Sequence, residues 1–136
     1  MTTTLTDVQA AIIAKLKATP SVTSLLSDPK EIREIEWVGS TFTYPNIRVR
    51  VAEFERKNPD CDIFIVKANI FVFGENASSK TCNVIANEIY NLMDRKTITG
   101  TNVKSVTRIQ AKQFGADYIP ESGVWKSEVN LIFHAT

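Results

Sequence analysis

The chain has few of the residues from which catalytic and metal sites are usually built. Its 136 residues include two cysteines, one histidine and five glycines. Two cysteines and one histidine supply neither a disulfide framework nor the four ligands of a structural zinc site. The glycines are isolated in the sequence, so they form no phosphate-binding loop. We therefore expect two reduced thiols, no bound metal and no cofactor.

The chain also lacks an excess of one charge and any long apolar run. Sixteen Lys and Arg residues against fifteen Asp and Glu residues leave a formal net charge of +1, which excludes a function that depends on the charge of the whole chain. No apolar run approaches the roughly 20 residues of a membrane span, and the Thr-rich start does not resemble a signal peptide. These patterns predict a soluble protein, made in the cytoplasm, that does not bind membranes.

The residues that are abundant favour a β-sheet. Ile and Val together number 26 against six Leu, and Thr adds another 14. β-Branched residues are enriched in strands. With 43% apolar and 23% charged residues, the composition is that of an ordinary globular protein. We predict one domain over residues 1–136.

The first 28 residues predict two helices. Residues 6–18 place apolar side chains at helical spacing, and Thr6 with Gln9 fits a capping box at the start. Thr19 followed by Pro20 is typical of the first residues of a second, short helix. The apolar face of the first helix consists of Val8, Ile12 and Leu16.

From residue 32 onward the apolar period changes to two, which predicts strands. A short strand contains Ile35 and Trp37, and a longer one contains Ile47, Val49 and Val51. Residues 62–73 are apolar on both faces, which suggests a central strand covered on both sides. Residues 103–114 and 124–135 alternate well enough to pair as a hairpin. The intervening segments 39–46, 56–61 and 115–123 are predicted loops or turns.

The best helix pattern lies between the third and fourth of these strands. Its apolar stripe contains Cys82, Ile85, Ala86, Ile89, Leu92 and Met93. The resulting order is α-α-β-β-β-α-β-β. We therefore predict an α+β fold with a mainly antiparallel sheet of about five strands packed against helices.

No combination of side chains predicts catalysis. His134 falls on the polar alternation of the last strand, where a solvated side chain is the expected state. Cys61 stands between Asp60 and Asp62, whose negative charges oppose thiolate formation. Cys82 belongs to the apolar stripe of the helix. We therefore expect no catalytic residue and no enzymatic activity.

One stretch, residues 95–112, contains cations with no acid between them. Within it Lys104, Arg108 and Lys112 share the strand alternation of Val106, which predicts three cations on one face over roughly 27 Å, at ~3.4 Å per residue. Such a face suits an anion, for example DNA passing through a channel. The alternative is a solvated strand whose cations discourage pairing at the sheet edge.

Two predicted loops contain larger apolar side chains than a solvated connector needs. Phe42 and Tyr44 lie in the first, and Tyr118 and Ile119 lie in the second. These side chains could anchor a neighbouring subunit. Equally, each loop could fold back over the core.

Several segments together resemble a known family. They are the helical pair over residues 8–26, the strand start Tyr44–Val49, the strand through Ile70–Gly74 with the helix after it, and the closing hairpin Asp117–Trp125. This arrangement, over nearly the whole chain, resembles the tail-terminator and tail-completion (head-tail joining) proteins of long-tailed bacteriophages.

The resemblance implies a structural virion protein that needs no catalytic residue. It would be assembled in the host cytoplasm into a hexameric ring at the head-proximal end of the tail. There it would stop growth of the tail tube and present a docking surface to a head-completion or neck protein. DNA would pass through the lumen without sequence-specific contacts.

Candidate residues follow from this resemblance. Those for the DNA-facing lumen are Lys104, Arg108 and Lys112, and those for contacts with a subunit or the tube are Phe42, Tyr44, Arg56, Lys57, Tyr118 and Ile119. Three alternatives stay open: a neck connector, a tail-tube subunit, and a small nucleic-acid-binding domain that uses the cations of residues 95–112. An enzyme is the remaining class.

Overall fold

A computed structural model describes residues 3–28, 31–37, 43–75 and 79–136. It contains three helices, α1 (Leu5–Lys17), α2 (Pro20–Thr23) and α3 (Ser79–Met93), and the strands β1 (Ile32–Glu34), β2 (Asn46–Arg56), β3 (Phe64–Glu75), β4 (Ile98–Gly100), β5 (Val103–Ile119) and β6 (Val124–Ala135). The predicted α+β class and element order are confirmed. The short strand β4 was not predicted, because its three residues run directly into the turn before β5.

The strands form one sheet in the order β1-β2-β3-β6-β5-β4. β1 pairs with β2 in parallel, and every other neighbouring pair is antiparallel. β3 has β2 on one side and β6 on the other, so its predicted central position is confirmed. Its register with β6 runs without interruption from Phe64 opposite Ala135 to Glu75 opposite Val124.

The helices cover one face of this sheet. Alternate residues of β3, beginning with Phe64 and Val66, join the core with Val8 and Ile12 of α1 and Ile89 of α3. The other face, which we call the open face, has half-buried or exposed side chains such as Ile65 and Lys67. The prediction that β3 is covered on both sides is therefore wrong. Its second face is apolar only in part, and the described helices all pack on the first.

The N-cap of helix α1 lies two residues before the predicted one. Thr4 is the N-cap: its hydroxyl accepts a hydrogen bond from the Asp7 backbone N–H at 3.2 Å, and the Asp7 carboxylate accepts one from the Thr4 N–H at 3.0 Å. Hydrogen bonds from the Thr4 backbone N–H, and then from the Thr4 side chain, to the Asp7 carboxylate hold the pKa of Asp7 below its usual value. The predicted capping box of Thr6 and Gln9 is wrong because both residues already lie within the helix.

The apolar stripes of both long helices are confirmed. On α1 the three predicted residues, Val8, Ile12 and Leu16, have no exposed surface. On α3 the same holds for Cys82, Ile85, Ala86, Ile89 and Met93, while Leu92 packs partly buried against this core. Burial of these side chains attaches both helices to the same face of the sheet.

Strand β5 extends further than the sequence pattern predicts. Residues 115–119 were expected in a loop, but they continue the strand and pair with β6 as far as Ile119 opposite Val124. The turn is confined to residues 120–123, where Gly123 adopts a φ of 70° and its N–H donates to the Ile119 carbonyl at 2.9 Å. Register shifts occur between Thr107 and Gln110 and between Phe114 and Asp117.

Side chains from the helical layer cap the backbone at both edges of the sheet. The Gln9 Oε1 accepts a hydrogen bond from the Val51 N–H at 3.2 Å, beyond the end of β1. On β5, beyond the end of β4, the Asp94 carboxylate accepts from Ala111 N–H at 3.0 Å and the Asn83 Oδ1 from Ala116 N–H at 2.9 Å. Capped edges are poor templates for adding another strand.

Candidate assembly surfaces

The described residues contain no cluster of three or more His, Cys, Asp or Glu side chains that could hold a metal ion. In the same part of the chain, none of the helices has both the length and the apolar character to cross a membrane. Cys82 is fully buried; burial raises the pKa of its thiol, which donates to the Trp125 carbonyl at 3.7 Å. A buried, protonated thiol of this kind is unreactive.

His134 lies half-buried on the open face, between Ile65 of β3 and Thr107 of β5. Burial lowers the pKa of His134, and the positive charges of Lys57 and Arg108 lower it further. Both cations are exposed, and their charges act on the half-buried His134. We call Lys57, Arg108 and His134 the basic corner.

The three cations predicted to share one face of a strand lie on a strand whose alternation is interrupted. Val106 pairs with buried Ala135, whereas Lys112 pairs with Asn130 of the open face. The bulge between Thr107 and Gln110, where Arg108 has a φ of 57°, changes the alternation. All three cations are exposed. That they share one face stays a prediction, although the regular alternation from which it was made is interrupted at Arg108.

The predicted loop residues separate into two groups. Tyr44 and Ile119 line one cleft of about 290 Å³, together with Trp37, Arg48 and Phe73. Tyr118 is 50% exposed, and its ring centroid lies 5.2 Å from that of Trp125. Phe42 lies outside the described residues.

Arg56 stabilises the turn after β2. Its Nη1 donates to the Cys61 carbonyl at 2.7 Å and to the Asp62 carboxylate at 2.9 Å, and its guanidinium lies 5.2 Å from the Phe64 ring centroid. Asp62 is largely exposed, so this ion pair contributes little to stability. Lys57 closes the same turn through its backbone N–H, which donates to the Ile63 carbonyl at 2.8 Å.

Sequence reasoning missed a groove of about 550 Å³ on the open face. Two apolar side chains are exposed in it, Phe114 at 40% and Ile132 at 46%. Lys112 lies with its Nζ 5.1 Å from the Phe114 ring centroid, and Lys67 pairs with Glu53 at 3.0 Å. The residues that line this groove include Glu53, Lys67, Lys112, Phe114, Asn130 and Ile132. We call this the open-face groove.

A second concave surface, of about 450 Å³, lies between helix α1 and the end of β1. Its lining includes the apolar residues Leu5 and Ile13 and the acids Glu34 and Glu36, and none of the described residues that line it is Lys or Arg. Leu5 is 38% exposed. We call this the α1–β1 surface. Its described charged side chains are all negative.

Buried charges hold the short strand β1 against β2. The Glu31 carboxylate accepts from Arg48 Nη2 at 3.1 Å and pairs with Arg33 at 3.5 Å, and the Arg33 guanidinium lies 3.8 Å from the Trp37 ring centroid. Both Glu31 and Arg48 are almost fully buried. No local pattern indicates this pair, because alternating charges in a strand usually mark a solvated face.

No protein-family model matches the chain, and no curated protein matches it in sequence. Among solved structures, a chain from the virion of a native gene transfer agent particle has a similar fold, with a TM-score of 0.77. The two sequences are 10% identical, and the match covers 96% of this chain and 95% of that chain. At this identity the similarity shows a shared fold.

Proposed function

We propose that this chain is a structural protein of a phage-like virion and that it acts as a tail terminator. The observation that carries the proposal is the structural match to a gene transfer agent virion chain, which spans nearly the whole of both chains. In the proposed role, six copies form a closed ring at the head-proximal end of the tail. The ring stops growth of the tail tube and provides the surface to which the head docks.

The geometry of the described surfaces supports a ring. A ring needs a heterologous interface, in which one surface of a subunit binds a different surface of the next. The α1–β1 surface and the open-face groove are two such surfaces, each with exposed apolar side chains and with different charges. A near-neutral chain also allows six copies to pack closely. The role needs no catalytic step, and we propose that the chain is not an enzyme.

We assign the remaining surfaces to other partners in the virion. The basic corner, with Lys57 and Arg108, is suited to DNA in the lumen, because its cations attract phosphates regardless of sequence. The cleft that contains Tyr44 and Ile119 and the turn held by Arg56 would contact the tail-tube protein or the head-completion protein. The exposed Tyr118 ring is placed for the same kind of contact.

Electron microscopy of the purified chain at high concentration tests the proposal. We expect ring-shaped particles with a central channel and six-fold symmetry in class averages. Filaments of stacked rings would indicate a tail-tube subunit instead. A compact two-fold dimer would contradict the proposal, because a two-fold interface uses the same surface on both copies.

The basic corner favours a nucleic-acid-binding domain as the second candidate. That function predicts that the isolated chain binds duplex DNA with an affinity that falls steeply as salt rises. A fluorescence anisotropy titration at about 50 and about 200 mM salt measures this directly. Tight DNA binding by a chain that remains monomeric would favour the second candidate over the terminator.

A further inference from the structure

We infer that the α1–β1 surface of one copy docks into the open-face groove of the next copy. The inference rests on the proposed ring and names the two surfaces that close it. The partner that occupies the open-face groove is therefore a second copy of this chain, bound head to tail. Three features of the described residues support this pairing: the apolar side chains, the charges and the capped sheet edges.

Apolar side chains are exposed on both surfaces. Ile132 and Phe114 are 46% and 40% exposed in the open-face groove, and Leu5 is 38% exposed on the α1–β1 surface. Ile13, which is half-buried, lines the same surface about two turns along α1 from Leu5. Packing Leu5 and Ile13 of one copy against Ile132 of the next would remove this apolar area from water, which favours association.

The charges of the two surfaces are complementary. Glu34 and Glu36 are the charged residues of the α1–β1 surface. In the open-face groove, the Lys67 charge is matched by Glu53 at 3.0 Å, while Lys112 lies over the Phe114 ring. Lys112 is thus the groove cation placed to meet an acid from another copy. Such pairs fix which surfaces meet and speed their encounter.

The same charges disfavour the pairing of like surfaces. Two α1–β1 surfaces facing each other would bring four glutamates together, and like charges across an interface are costly. This opposes a two-fold dimer through that surface and favours a head-to-tail arrangement. Strand addition at the sheet edges is disfavoured as well, because Gln9, Asp94 and Asn83 occupy backbone donors there.

Charge reversal tests the inference. Glu36→Lys places a cation opposite Lys112, and Lys112→Glu places an acid opposite Glu36. We expect each variant alone to lose ring formation, with association weakened by about tenfold or more in sedimentation velocity. The matched control is Lys80→Glu, which reverses an exposed cation at the start of α3, outside both surfaces, and should assemble like the wild type.

An equimolar mixture of the two variants gives the sharper result. In a ring of alternating copies, the new cation of Glu36→Lys always meets the new acid of Lys112→Glu. Every other interface keeps the native pair of Glu36 and Lys112, so all contacts regain opposite charges. We expect the mixture to form rings at the wild-type concentration, as should the double variant Glu36→Lys/Lys112→Glu. Recovery also shows that both variants are folded.

The outcomes separate this inference from the proposed function. If both single variants form wild-type rings, or if the mixture fails to restore lost rings, this pairing is wrong and the ring proposal stands on its own. If the wild type forms no ring at any concentration at which it remains soluble, the proposed function and the pairing are both wrong.

Discussion

Removal of the Glu31 carboxylate should destabilise the fold strongly. Glu31 and Arg48 are ion-paired at 3.1 Å with side chains only 4% and 6% exposed, so Glu31→Ala removes a carboxylate that pairs with a buried guanidinium. Breaking a buried pair in this way costs about 3–5 kcal/mol. Arg48 keeps hydrogen bonds to the Glu31 and Ile47 carbonyls, so we expect about 3 kcal/mol.

Urea unfolding followed by circular dichroism measures this loss, provided that the m-value is unchanged. A loss of about 3 kcal/mol should also lower the melting temperature by roughly 10 °C for a chain of this size. The matched control is Glu53→Ala, which removes the acid of the exposed pair with Lys67 at 3.0 Å. Exposed pairs contribute about 1 kcal/mol or less.

A second control separates the charge pair from packing. Replacing both partners with apolar residues of similar size, as in Glu31→Leu/Arg48→Met, should recover much of the stability that Glu31→Ala loses, because both members of the buried pair are then apolar. Equal, small losses for Glu31→Ala and Glu53→Ala would refute the reasoning. That result would mean that Glu31 and Arg48 are hydrated in solution.

Three further predictions concern the core and the open face. Gly74→Ala would place a Cβ 2.6 Å from the Cys82 Sγ, so urea unfolding should show a loss of about 1–3 kcal/mol, and a second substitution, Cys82→Ala, should restore part of it. The lowered pKa of His134 means that the unfolded chain binds the proton more tightly than the folded chain. The free energy of unfolding should therefore fall as the pH drops from above 6.5 through the folded-state pKa. In His134→Gln, measured over the same pH series, this fall should be smaller. Thiol labelling of the native chain should modify half-buried Cys61 well before buried Cys82, and both should react at once in denaturant; equal rates in the native chain would contradict the structure.

Much of the fold was predictable because each helix and strand has a pattern within its own sequence. The stripe from Cys82 to Met93 has one helical solution that buries it, and the alternation of β6 is regular enough to assign its two faces. Both patterns are local periodicities, which can be identified from the sequence alone. The apolar run over residues 62–73 indicated that β3 occupies a central position in the sheet.

The features that shape the candidate surfaces were harder to predict because they depend on pairing between distant residues. The bulge near Arg108 is visible only from the register of β5 against β6, and it interrupts the alternation from which one face was predicted for Lys104, Arg108 and Lys112. Likewise, no sequence feature distinguishes Gln9 from other helix residues, because its hydrogen bond to Val51 forms only when α1 packs beside the edge of β2. The open-face groove combines residues from four strands, so no local pattern marks it.

Native mass spectrometry of the wild-type chain over a rising concentration series tests the central claim most directly. If copies join head to tail and close, the particle mass should stop increasing at six times the chain mass of 15.2 kDa, and further concentration should only add more particles of that mass. A mass that stops at two chains, or one that keeps growing with concentration, would contradict the account.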